Sequence, residues 1–233
     1  MGSRDLDTVI ERLRRSLDSD QPEKNSIIAL TKTRAVLAAR LFVLSKLLEL
    51  YPNALMPRSW LLMQLLPDHM GLTPSDFWIT ISNSFAFSHE SDLTNYIQNA
   101  VTKVLVRIRN QIPDQKTFVI TIDEAQVAID KHSNMFHSTT SPSQRHSFFT
   151  ILLRTALCIS GYDVCTILSE TGLCIDDMKQ DSDSLPVAKN IIQADRFVGI
   201  TDGFYDITKM KEFVECFLGP LTKQQATCIF NYL

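Results

Sequence analysis

Residues 117–126 read TFVITIDEAQ, an apolar run that stops abruptly at two adjacent carboxylates. Phe, Val, Ile and Thr in succession suit a short strand buried inside a sheet, and Asp123 and Glu124 then fall at its carboxyl end. In parallel α/β sheets that end is where ligands bind. A carboxylate there can help hold a hydrated Mg2+ against nucleotide phosphates, and a neighbouring one can orient or deprotonate water. On this reading Asp123 is the metal ligand, Glu124 the catalytic base and Gln126 a polar contact to the nucleotide. The plainer reading keeps the strand and makes the acids caps for the following helix, EAQVAID.

A second apolar run, VCTIL at 164–168, leads into SETG. Ser169 and Thr171 would then lie at the tip of a neighbouring strand, where polar side chains can touch a terminal phosphate. Amphipathic or apolar helices surround the two runs: 5–17, 27–50, a segment from Pro57, one starting at Thr73-Pro74-Ser75-Asp76, 92–110, and 147–160. The segment RSWLLMQLL is apolar all round, so a buried strand is an alternative to a helix there. Residues 131–146, rich in Ser, Thr and His, read as a long surface loop. RFVGI at 196–200 is a third candidate strand, and helices at 207–218 and 221–232 flank Gly219-Pro220. Continuous apolar strands alternating with helices predict a helix-rich α/β fold with a parallel sheet and helices on both faces. The organisation reads as a mainly helical segment (1–112), a strand-bearing α/β segment (113–203) and C-terminal helices (204–233), forming one continuous domain.

A nucleotide site built on such a strand needs a phosphate cradle, G-x-x-x-x-G-K-[ST], whose backbone amides and lysine neutralise the phosphates. The seven glycines stand at 2, 71, 161, 172, 199, 203 and 219, and none is followed by lysine. The sequence therefore offers metal- and water-handling acids without the cradle. ATP and Mg2+ binding is expected to be weak or absent in this chain alone.

Other classes have less support. The formal net charge of −3 gives no bulk attraction for nucleic acid. No run approaches the ~20 apolar residues of a membrane-spanning helix. Five cysteines without a CxxC pair, and no signal peptide, point to a reducing intracellular compartment, cytoplasmic or nuclear. His132 and His137 read as loop residues rather than a metal site, because no close cysteine completes a ligand set. Cys158 and Cys165 read as packing residues, and Arg154 as a salt-bridging helix residue rather than an arginine finger; Arg145 is the other candidate finger.

TRAVLAARLFVL, PRSWLLMQLLPD, TFVITIDEAQVAID and the SETGL segment together resemble the P-loop NTPase region of Crinkler-type effector-like proteins, in the AAA+ and STAND-like group. The resemblance spans roughly residues 31–180 and rests mainly on DEAQ, the Walker B string. It implies ATP binding and hydrolysis coupled to a conformational switch, with Asp123 on magnesium and Glu124 as base. The family commonly carries a turn resembling S-G-T-G after the second strand; Glu170 stands here in the glycine place. DEAQ is also similar to helicase motif II, but a helicase needs a phosphate loop and a second RecA-like lobe with arginines, and this chain reads as too short and as lacking both. Three expectations follow. The chain is a fragment or degenerate copy of a P-loop NTPase that works with a protein partner or an upstream domain. Alternatively, it is an active switch completed by an upstream P-loop segment. In the third, it is a helical protein-interaction module with structural acids.

Overall fold

The computed structural model describes residues 3–52, 57–65, 77–85, 90–111, 117–122, 127–138, 144–159 and 163–168. In chain order these form α1 (Ser3–Arg14), α2 (Pro22–Leu50), α3 (Pro57–Leu65), α4 (Phe77–Asn83), α5 (Glu90–Gln111), β1 (Phe118–Ile122), α6 (Val127–Asp130), β2 (Phe136–His137), β3 (Arg145–His146), α7 (Phe148–Leu157) and β4 (Val164–Leu168). The helix-rich α/β class is what the sequence predicts. RSWLLMQL (58–65) is helical, within α3. The candidate strand at 196–200 and the helices at 207–218 and 221–232 lie outside the described residues.

The centre of the structure is α2. Every residue from Thr33 to Leu41 is buried, so this stretch has no solvent face. A helix apolar all round belongs inside a core, and Ala35, Ala38 and Ala39 keep it narrow enough for neighbours to approach. Leu93, Ile97, Ala100 and Val101 of α5 pack on one side. The amino-terminal half of α2, with Ala29, Leu30 and Val36, joins Val9, Ile10 and Leu13 of α1 and Phe148, Ile151 and Leu152 of α7. The helix starts at Pro22, five residues earlier than the hydrophobic pattern indicates, because Pro suits a first helical turn and the start is polar.

Two arginines are buried within this apolar helix. The Arg34 guanidinium donates to Thr94 Oγ1 at 3.0 Å. Arg40 donates to Gln64 Oε1 at 2.9 Å, and its guanidinium lies 4.6 Å from the centre of the Trp78 ring. A cation over an indole face, shielded from water, is stabilised by the ring quadrupole. These contacts attach α3 and α4 to α2. Further along, Arg107 of α5 donates to the Ser45 carbonyl at 2.6 Å and Oγ at 2.7 Å. Lys46 and Arg107 also flank Glu49 and hold its carboxyl below the usual range, Lys46 having the larger effect.

The 131–146 region departs from the expected surface loop. Phe136 and His137 pair antiparallel with His146 and Arg145, and both Phe136 and His146 are buried. The sequence hides this because a two-residue strand has no alternation to detect. A tight turn precedes it, with His132 and Asn134 at positive φ of 50° and 63°. His132 Nε2 lies 3.0 Å from the carbonyl of Ile10, which can only accept, so this histidine ties the turn to α1. Asn25, 1% exposed, makes the companion tie. Its amide nitrogen donates to the carbonyls of Asp18 (2.6 Å) and Met135 (3.0 Å), and its oxygen accepts from the Asp18 amide (3.0 Å).

Among the described residues no helix is long and apolar enough to cross a membrane.

Replacing Asn25 with Ala orphans three backbone groups and is expected to cost about 2–3 kcal/mol of unfolding free energy in urea denaturation. Asn25→Asp should be no better, since a carboxylate would face two carbonyls. At the turn, Asn134→Gly should stay within about 0.5 kcal/mol of wild type while Asn134→Val loses about 1–2 kcal/mol, because a β-branched residue resists positive φ. Thermal melts of the pair check this.

Candidate functional site

β1 and β4 form a parallel pair in strict register, from Phe118 opposite Val164 to Ile122 opposite Leu168. Their residues alternate between two faces. Phe118, Ile120 and Val164 pack against the α2–α5 cluster, and Ile122, 3% exposed, enters the cluster formed by α1, α2 and α7. The other face carries Val119, Thr121, Cys165 and Ile167, all exposed. Helices on both faces are therefore not seen among the described residues: α2, α5 and α7 share one side.

The amino ends of the strands are fixed by two links. The Phe118 amide donates to the Asp163 carbonyl at 2.8 Å, and the Arg109 guanidinium at the end of α5 pairs with the Asp163 carboxylate. Phe118 also reaches the Leu44, Leu48 and Val104 cluster, which ties the strand to the far half of α2. The register is thus set at one end by polar contacts and at the other by the burial of Ile122.

This register bears directly on the sequence reading. Asp123 follows Ile122 in the chain, and Ser169 follows Leu168, so both polar segments leave from one pair of aligned positions. Paired strands run about 4.8 Å apart, which sets the distance between the two departure points. Asp123, Glu124, Gln126, Ser169 and Thr171 themselves lie outside the described residues. The chain returns at α6, where Ala128 is fully buried in the same cluster as Ile122. The acidic segment therefore spans two anchored points.

The described helix starts show how phosphate would be received. The longest helix, α2, begins beside an open cleft of about 460 Å³ lined by Asp20, Gln21, Pro22, Glu23, Lys24, His137 and Arg145. A helix amino terminus attracts anions, but here the chain supplies its own: Glu23 lies in the first turn, 3.9 Å from His137 Nε2, and Asp20 lies just before it. Pro22 removes one backbone donor, and the preceding residues carry no glycine. This start does not fit a polyphosphate.

The remaining candidates are placed as follows where they are described. His132 bonds the Ile10 carbonyl, His137 lies beside Glu23, and Arg145 sits on β3 at the α2 cleft. The Arg154 carbonyl faces Arg34 at 3.5 Å. Cys158 is half-buried and packs on the α2–α5 cluster, whereas Cys165 is exposed rather than packed in the core. Among the described residues no group of three His, Cys, Asp or Glu is arranged to hold a metal ion. Sequence reasoning passed over Asn25 and the buried Arg34 and Arg40, whose roles come from distant partners and leave no local pattern. No protein family, curated protein or solved structure matches the chain.

Proposed function

We propose that this chain is a partial or degenerate P-loop NTPase-like module that keeps the acidic strand and lacks the phosphate loop. The observation that carries the reading is the parallel, in-register pairing of β1 and β4, with DEAQ following one strand and SET the other. Two carboxylates are hard oxygen donors and suit Mg2+. In this reading Asp123 holds the hydrated metal and Glu124 orients water, with Gln126, Ser169 and Thr171 as polar contacts to the nucleotide. The phosphates lack a cradle, since none of the seven glycines begins a GxxxxGK[ST] loop. Without those amides and the lysine, nucleotide binding is weak and turnover by the chain alone is inefficient. The module then acts with a protein partner or with an upstream segment that supplies the loop.

A second reading has its own observation. From Thr33 to Leu41 α2 is buried on every side and organises most of the described helices, so a helical scaffold accounts for most of the described core without calling on the acids.

Titration of the chain with a fluorescent ATP analogue, with and without Mg2+, separates these readings. The partial-site reading expects Mg2+-dependent binding with Kd on the order of 1 mM. Asp123→Ala should abolish the metal dependence, and Glu124→Gln should leave binding in place. Absence of any Mg2+-dependent binding favours the interaction module. Tight binding indifferent to both substitutions defeats the site assignment, and sustained ATP hydrolysis by the chain alone refutes the importance of the missing loop.

A further inference from the structure

One face of the β1–β4 pair has no apolar partner among the described residues. Val119 is 49% exposed and Ile167 45%, and the register places Val119 beside Cys165 and Thr121 beside Ile167. Together these form a continuous, uncharged patch across both strands. Parallel strands with apolar residues on both faces occur in sheets covered on both sides, so such a patch requires a cover. The opposite face is already occupied by α2, α5 and α7.

The chain contains a segment of matching character. From 207 to 218 it reads ITKMKEFVECFL. Ile207, Met210, Val214, Phe217 and Leu218 recur at i, i+3, i+7, i+10 and i+11, so a helix there carries one apolar stripe. Thr208, Lys209, Glu212 and Glu215 fall on the other side. Residues 169–206 connect this segment to the end of β4, and at about 3.3 Å per extended residue they reach any point on a two-strand sheet. A tethered segment also meets the patch at an effective concentration that a second copy of the chain attains only when concentrated.

We propose that residues 207–218 dock their apolar stripe on the outer face of the sheet, over Val119, Thr121, Cys165 and Ile167. The segment supplies the second helical layer, and Cys165 becomes inaccessible beneath it. The proposal is independent of nucleotide binding.

Cys165 reports on the contact in the full chain. Pulses of N-ethylmaleimide, read by mass spectrometry of the Cys165 peptide, compare the native chain with the chain in urea. Native labelling should be at least about tenfold slower. Met210→Asp combined with Phe217→Asp should restore it to within about threefold of the unfolded rate, with the far-ultraviolet circular dichroism retained. Labelling of the native chain at the unfolded rate overturns the proposal. So does protection that survives the double substitution, or protection that disappears on dilution, which would mean a second copy. If the double variant loses its helical signal, photocross-linking decides. With Val119 replaced by benzoylphenylalanine in the otherwise native chain, irradiation should join position 119 to a peptide within 207–218 of the same chain. Links only between two chains, or only to other segments, reject it.

Discussion

The structure depends on a helix with no solvent face over its central third. Burying Thr33 to Leu41 on every side forces α1, α4, α5 and α7 to surround α2, and each then needs one apolar stripe and one polar one. That requirement explains why α5 alternates buried Leu93, Ile97, Val101 and Val104 with exposed Asn95, Asn99 and Lys103. It also explains the alanines, since bulkier residues at 35, 38 and 39 would push the surrounding helices away. The helix is long enough for its two halves to serve different clusters, and Phe118 and Ile122 of a single strand reach one each. The sheet is thereby positioned by α2 rather than by its own width.

Burying Arg34 and Arg40 in this helix adds a second constraint. A guanidinium removed from water must find acceptor partners and a polarisable surface, and Thr94, Gln64 and the Trp78 ring supply them from α5, α3 and α4. These contacts are directional, whereas apolar packing is not. They fix the rotation of each neighbouring helix about its own axis as well as its distance from α2. Lys46, Glu49 and Arg107 do similar work nearer the surface, where water weakens each pair.

Much of this was legible in the sequence because it rests on local periodicity. α5 lies almost where the 92–110 pattern places it, and FVITI and VCTIL are strands over the residues expected. What the pattern missed depends on contacts distant in sequence. The β2–β3 pair is held by the burial of Phe136 in the cluster with α1, α2 and α7 and by the burial of His146, with no alternation of its own. The early start of α2 depends on Pro22 and on Asn25, whose partners include Met135, far along the chain. The exposed outer face of β1 could not be foreseen from FVITI, because an apolar run does not record which face is covered. For the candidate site the sequence supplied residue types and spacing, and the structure adds the register that aligns the two strand ends.

That register sharpens the choice between a capping and a chemical role for the acids after β1. Capping explains an acid where a helix with a substantial dipole follows. Here α6 ends at Asp130, and His132 and Asn134 at positive φ break it decisively. Counted even from Glu124, a helix ending there holds barely two turns, and few aligned peptides generate little field at its start. Two adjacent carboxylates exceed what so short a helix calls for. In the proposed reading the pair follows the buried Ile122, beside a parallel neighbour whose chain continues into Ser169 and Thr171, and serves a cation rather than a cap. As proposed above, the acids would be one half of a site whose phosphate-binding loop does not occur in the 233 residues.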